Sequence, residues 1–113
     1  MQVDRYLDDC DRGATAATVQ GLARHLGLTV HELREICLCK TGLSPGDLLR
    51  KRQLARARDL LLDTDLTIEV IAMHCGFGTD RTLYRLFVAV EGMTPTEYRR
   101  RHTEWTPSSN PQK

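Results

Sequence analysis

The chain is poor in aromatic residues and in proline, and it has no stretch that alternates as a strand does. Six aromatic side chains and four prolines stand among 113 residues. No Val/Ile/Thr run alternates with polar residues and no Asn-Gly turn joins two such runs, which argues against sheets and barrels. No apolar run approaches the roughly 20 residues needed to cross a bilayer. Met1 to Asp11 is too acidic for a secretion signal. The four cysteines, Cys10, Cys37, Cys39 and Cys75, contain no C-x2-C pair, so neither a zinc site nor a disulfide framework is expected. Reduced thiols in a cytoplasmic protein are expected instead. Cys37 and Cys39 lie two apart on a helix and point to different sides, a poor arrangement for sharing a metal. There is no Gly-rich phosphate loop and no G-x-S-x-G elbow. His31-Glu32 would open an H-E-x-x-H zinc motif only with histidine at position 35, where Glu35 stands. The chain is therefore not expected to be an enzyme, nor to need a metal or cofactor.

What is present is Leu, Ala and Arg at helical spacing, and a repeat. The run from Thr18 to Arg50 recurs from Thr67 to Arg100: Thr18, Ala23 and Gly27 correspond to Thr67, Ala72 and Gly76. After a one-residue insertion, Gly42, Ser44-Pro45, Asp47, Leu48 and Arg50 correspond to Gly92, Thr94-Pro95, Glu97, Tyr98 and Arg100. A period of about 50 residues is one supersecondary unit used twice.

Local signals divide the chain into about seven helices. Val3, Tyr6, Leu7 and Cys10 give a short amphipathic helix over 2–12 that Gly13 stops. Thr18 is read as the cap of a helix turning Val19, Leu22, Ala23 and Leu26 inward. Gly27 follows, because the tight turn needs a positive φ. Thr29-x-x-Glu32 is a capping box opening a helix to about Thr41, with Val30, Leu33, Ile36 and Cys37 inside. Ser44-Pro45 starts the longest helix, to about Leu62. Its apolar residues are Leu48, Leu54, Ala57, Leu60 and Leu61, interleaved with Arg50, Lys51, Arg52, Arg56 and Arg58. The second unit repeats the plan. Ile68, Val70, Ile71 and Ala72 form the supporting helix, and Gly76-Phe77-Gly78 the turn. Thr79 caps a helix with Leu83, Leu86, Phe87 and Val90 inside, and Thr94-Pro95-Thr96-Glu97 opens a last helix fading after Arg101 or His102. The expected organisation is all-α: a first helix-turn-helix lobe within 1–50, a rigid linker helix over 45–62, a second lobe over 63–102 and a disordered tail over 103–113.

In a helix-turn-helix the second helix enters the major groove and offers its first turns to base edges. Outward positions there are His31, Arg34 and Glu35 in one unit and Asp80, Arg81, Tyr84 and Arg85 in the other, with Thr29 and Thr79 at the helix starts. Arg34, Arg81 and Arg85 are the first choices for base or phosphate contact, since arginine pairs with guanine through two hydrogen bonds. His31 and Tyr84 suit a thymine methyl or a base edge. Glu35 and Asp80 can accept from a cytosine amino group or orient a neighbouring arginine. Net charge is only +1, but Arg50 with the mid-chain cations, and Arg99, Arg100 and Arg101 near the end, gather positive charge locally. Such a face can hold phosphates in a nearly neutral protein. Arg52 is expected to tie the linker helix to a lobe.

Three stretches carry a resemblance. Thr67-Ile68-Glu69-Val70-Ile71-Ala72-Met73-His74-Cys75-Gly76-Phe77, then Leu83-Tyr84-Arg85-Leu86-Phe87, then Gly92-Met93-Thr94-Pro95-Thr96-Glu97-Tyr98-Arg99 resemble the AraC/XylS family pattern I-x-x-I-A-x-x-x-G-F, F-x-R-x-F and G-x-T-P-x-x-Y-R. The likeness covers roughly Val3 to Arg101, and Arg52, Leu54, Ala57, Leu60 and Leu61 resemble that family's linker helix. It implies two lobes reading one face of double-stranded DNA in consecutive major grooves, and transcriptional regulation, most often activation through RNA polymerase. A monomer on an asymmetric site of about 20 base pairs is expected, because two recognition helices one turn apart span roughly 34 Å. Departures concentrate in the first unit. Cys37 stands where the family often has Phe, Glu35 where a basic or polar residue is common, and Leu38 and Cys39 where Lys is frequent; in the second unit Leu83 replaces Phe. The other reading of the chain is a helical protein-interaction module that kept the fold, either docking on polymerase or antagonising it. On either reading the chain is a DNA-binding-type domain by itself, as a stand-alone protein or as a piece of a longer regulator.

Overall fold

The computed structural model describes residues 3–13 and 15–105. Among the described residues seven helices follow one another: α1 Val3–Arg12, α2 Val19–His25, α3 Val30–Thr41, α4 Pro45–Asp63, α5 Ile68–His74, α6 Asp80–Glu91 and α7 Pro95–Trp105. No strand occurs among the described residues. Helix starts fall where cap chemistry puts them. Thr18, Thr29, Ser44, Thr67 and Thr79 each sit in extended backbone and accept from the amide three residues on, satisfying one of the amides a helix start leaves unpaired. Thr94 Oγ1 accepts from Glu97 N in the same way. Helix α7 runs to Trp105, three residues past the expected end at His102. The remainder of the expected tail, residues 106–113, lies outside the described residues.

Two hydrophobic cores are arranged along the long axis of a molecule measuring 50 × 29 × 23 Å. The first gathers Val3, Tyr6, Leu7 and Cys10 of α1, Leu22 and Ala23 of α2, Leu33 and Cys37 of α3, and Leu49 of α4. The second gathers Leu54, Ala57 and Leu61 of α4, Ile71, Ala72 and Cys75, Phe77 of the turn, and Leu83 and Phe87 of α6. Helix α4 therefore serves both lobes. Its first turns close the first lobe and its later turns found the second. At about 1.5 Å per residue, its 19 residues make a strut of roughly 28 Å.

Side-chain placement corrects the sequence reading at three points. Val30 and Val90, expected inside, are 39% and 62% exposed. Val30 is the first residue of α3, where no preceding turn covers it, and Val90 lies in the last turn of α6. Leu49, not expected inside, is buried, while Leu48 and Leu60 are half-buried. Gln53 is buried too, and donates from Nε2 to the Cys75 carbonyl at 3.0 Å. That bond satisfies a carbonyl which the end of α5 leaves unpaired. Burial pushes the Cys75 thiol up to about 12 and raises the Cys37 thiol as well, as expected of small apolar core residues.

Candidate nucleic-acid interface

The two turns leading into α3 and α6 are built alike, atom for atom. Leu28 N donates to Ala23 O at 2.8 Å and Phe77 N to Ala72 O at 2.9 Å. Gly27 N donates to Arg24 O at 3.1 Å and Gly76 N to Met73 O at 3.2 Å. Both glycines take a left-handed backbone, φ 71° and 79°, which a side chain would strain. Ala23 and Ala72, almost fully buried, let the paired helices approach. The one-residue insertion of the second unit is Gly78, at φ 85°, just before the Thr79 cap.

From these turns each second helix emerges with its first turns exposed. On α3, His31, Arg34 and Glu35 are exposed beside the buried Leu33. On α6, Arg81 and Arg85 are exposed beside the buried Leu83, while Asp80 and Tyr84 are half-buried. Positions 31, 34 and 35 are the repeat equivalents of 81, 84 and 85. The first face thus offers His, Arg and Glu, and the second Arg, Tyr and Arg. The Tyr84 hydroxyl lies 3.0 Å from Thr96 Oγ1, so α6 is pinned to the start of α7 through the ring that would meet a base. The hydroxyls of Thr29 and Thr79 accept from Glu32 N at 3.1 Å and Thr82 N at 3.3 Å. In α3 the capping box is reciprocal, with Glu32 Oε1 accepting from Thr29 N at 2.9 Å. Hydrogen bonding of the Glu32 carboxylate to the Thr29 amide, and then to the Thr29 hydroxyl, holds it below its ordinary range.

The charge pattern explains how a nearly neutral chain keeps a basic face. The aspartates of α1 are turned on the protein itself. Asp4 meets Arg52 at 3.1 Å, and Asp8 meets Arg56 at 2.7 Å. Arg56 also donates to the Asp4 carbonyl at 2.6 Å. Asp9 pairs with Arg12 and His25, and Asp11 with His74. Arg52 thus ties the linker helix to the first lobe, the role expected of it. The mid-chain basic run is divided accordingly: Arg52 and Arg56 face α1, and Arg58 meets Glu91 at 2.6 Å. Only Arg50 and Lys51 of the five remain exposed without such a pairing.

Arg99, expected at the phosphate backbone, is used elsewhere. Its Nε donates to Leu61 O at 2.9 Å and its Nη2 to Thr64 O at 3.0 Å, so it caps the carbonyl end of α4 and holds α7 there. Arg99 is the repeat equivalent of the buried Leu49, which explains why it faces inward. Arg100 stays exposed, 3.6 Å from Glu97. Sequence reasoning missed Gln53, the paired histidines His25 and His74, and the Ala17 amide, which donates to Gly76 O at 2.7 Å. Of these only the histidines left a signal, since they occupy equivalent places in the repeat.

A family described as a helix-turn-helix domain matches residues 22–101, spanning both units. The chain is 29% identical over 89 residues to the HTH-type transcriptional regulator Rv1931c of Mycobacterium tuberculosis, a stretch covering 79% of this chain and 34% of that protein. Over 89 residues it is 32% identical to the HTH-type transcriptional activator RhaS of Escherichia fergusonii, covering 79% of this chain and 32% of that one. The chain thus spans about a third of the length of these curated relatives. Among solved structures, the C-terminal domain of AraT, a response regulator from Geobacillus stearothermophilus, matches with a TM-score of 0.71 at 28% identity, covering 88% of this chain and 84% of that one. The DNA-binding domain of the global transcriptional factor AdpA, solved with a target DNA, shares the fold with a TM-score of 0.74 at 22% identity, covering 95% and 97%. With both units matched and both turns built alike, the chain belongs to the AraC/XylS-type helix-turn-helix family.

Proposed function

We propose that this chain binds double-stranded DNA sequence-specifically and regulates transcription, acting as an activator with RNA polymerase as its protein partner. The observation that carries this reading is the duplicated geometry: two capped helices, α3 and α6, follow turns closed by the same hydrogen bonds and leave their first turns largely exposed. A monomer sets His31, Arg34 and Glu35 in one major groove and Asp80, Arg81, Tyr84 and Arg85 in the next, on an asymmetric site of about 20 base pairs. Thr29, Thr79, Arg50 and Arg100 flank these faces and serve phosphates. The transcription-regulator names of the curated relatives, and the target DNA solved with AdpA, support it.

The test is selection from a randomised duplex pool at moderate salt, followed by salt titration of the recovered site. The expected result is a motif with two unlike halves one helical turn apart, bound less tightly as salt rises and counterions are no longer released to advantage. Arg85→Ala is expected to weaken binding by about 1–3 kcal/mol and to relax sequence choice at one base pair. Enrichment of no sequence at any salt would overturn the proposal in favour of a protein-docking module.

A further inference from the structure

Beside the shared helix, the two lobes meet at a seam. Ala17 N, in the segment before α2, donates to Gly76 O at 2.7 Å, and Gln53 Nε2 of α4 donates to Cys75 O at 3.0 Å. Two successive carbonyls of the second turn are thus held from the side of the first lobe. The donors are themselves fixed. The Tyr6 hydroxyl bonds both the amide and the carbonyl of Thr18, next to Ala17. Gln53 is buried between Leu49 of the first core and Leu54 of the second. Packing is as close as the bonding. A Cβ at Gly76 would come within 3.0 Å of Ala17 Cβ and 3.4 Å of Gln53 Nε2, and one at Gly78 within 3.4 Å of Ala16 Cβ. The first turn has no such neighbour, since a Cβ at Gly27 meets nothing within 4 Å. We propose that Gln53 and Ala17 are positioning residues that aim α6 relative to α3, and so determine which spacing of the two half-sites the protein accepts. The inference rests on the DNA-binding reading above.

The seam acts on the segment from which α6 starts. Gly76 and Gly78 both take positive φ, so the turn has the backbone freedom that glycine brings, and α6 begins at Asp80, only two residues beyond it. Bonds to the carbonyls of residues 75 and 76 remove that freedom at the entry to the turn. The cleft over the seam is bordered by Val19 and Arg50 on one side and by Thr82, in the first turn of α6, on the other. Any shift of the turn therefore carries α6 with it. Cys75 is fully buried, so no water takes the place of a lost Gln53 donor at its carbonyl. On a duplex, one base pair amounts to about 3.4 Å along the axis and about 34° around it. A second reading helix held against the first accepts one spacing of the half-sites, whereas one on a loose turn follows the half-site to its neighbours.

The experiment compares, for the full chain, the selected site with the same site whose halves are moved apart by one base pair. The unaltered protein is expected to bind the moved halves about tenfold more weakly, the scale of one mismatched base pair. A buried hydrogen bond is worth about fivefold net, so Gln53→Met is expected to discriminate by only about twofold. Ala17→Leu, which wedges the seam from its half-buried side, is expected to do the same and serves if Gln53→Met fails to fold. Cys37→Ala weakens the first core away from the seam and is expected to keep the tenfold preference, so lost stability alone does not move this readout. Undiminished discrimination in a folded seam variant, its loss in Cys37→Ala, or none in the unaltered protein overturns the inference. Residual dipolar couplings of the free protein test the seam without DNA. One alignment is expected to describe both lobes of the unaltered protein, and two to be needed in the seam variants. If that pattern holds but no duplex is bound, the seam stands and the DNA-binding reading falls. If DNA is bound while the seam variants keep both the spacing preference and the single alignment, the reading stands and the seam falls.

Discussion

The two lobes share a backbone plan and fill it differently. Position 37 in the first lobe and its equivalent 87 in the second are both fully buried, but one holds a cysteine and the other a phenylalanine. The second lobe packs Phe87 edge-on against Tyr98, with ring centroids 5.2 Å apart at 75°, and Phe77 stands where the first lobe has Leu28. The first lobe makes up the missing volume from outside the repeat: α1 brings Val3, Tyr6, Leu7 and Cys10 into its core. Tyr6 also joins α1 to α2, its hydroxyl donating to Thr18 O at 3.3 Å and accepting from Thr18 N at 3.0 Å. Burial raises that phenol above its ordinary value. A helix-turn-helix of this size is thus completed either by large residues of its own or by a borrowed helix, and this chain uses one solution in each lobe.

The sharpest way to break the comparison is at that shared position. Phe87→Ala is expected to cost about 3–5 kcal/mol, a large part of the stability of a small domain, whereas Cys37→Ala is expected to cost about 1 kcal/mol. Urea unfolding gives the totals. Hydrogen exchange read residue by residue shows whether protection is lost first in α5 to α7, as expected.

The turns offer a second contrast. A Cβ added at Gly27 meets nothing within 4 Å, but one added at Gly76 comes within 3.0 Å of Ala17 Cβ and 3.3 Å of its amide nitrogen. Gly27→Ala should therefore cost only the left-handed backbone strain, about 1–2 kcal/mol. Gly76→Ala should cost more, because it also pushes the two lobes apart. Equal drops in melting temperature for the two variants would show that the Ala17 contact contributes little.

The smallest effect separates the helix starts. Glu32 closes the capping box of α3, while its equivalent in α6 is Thr82, whose hydroxyl lies 3.2 Å from that of Thr79. A carboxyl held below its ordinary value stabilises the fold fully above the ordinary carboxylate range, and that stabilisation is lost as the pH falls through the lowered value. Between pH 6 and pH 3 the Thr29 amide is expected to lose its bond to Glu32 and shift in NMR spectra, while the amides at the start of α6 stay put. Glu32→Gln should remove the shift.

Much of this architecture is legible in the sequence because it is local. A threonine three residues before the amide it caps, a glycine at each turn and a proline at the first helical position need no knowledge of distant contacts. What was misread depends on where elements end in space. Val30 and Val90 keep the helical period but lie at helix ends where nothing covers them. Arg99 looks like its basic neighbours, but it stands in the repeat at the inward place of Leu49, and the carbonyls at the end of α4 receive it. Gln53 and the aspartate–histidine pairs bring together residues 16 to 63 positions apart, a separation no periodicity reports. Among the expected contact residues, the exposed ones on α3 and α6 were legible for the opposite reason: they are the positions left over once a simple core stripe is subtracted.

The double use of α4 makes this molecule sensitive to phase. One strut carries both cores, so adding a single residue in its middle would rotate one recognition face against the other by about 100° and advance it by about 1.5 Å. If the two faces read consecutive grooves as proposed, no bend in a duplex recovers such an error cheaply, since the grooves recur only once per turn. A change in the length of α4 is therefore expected to disturb the molecule more than a change in its surface composition, much as the pitch of a screw matters more than its finish.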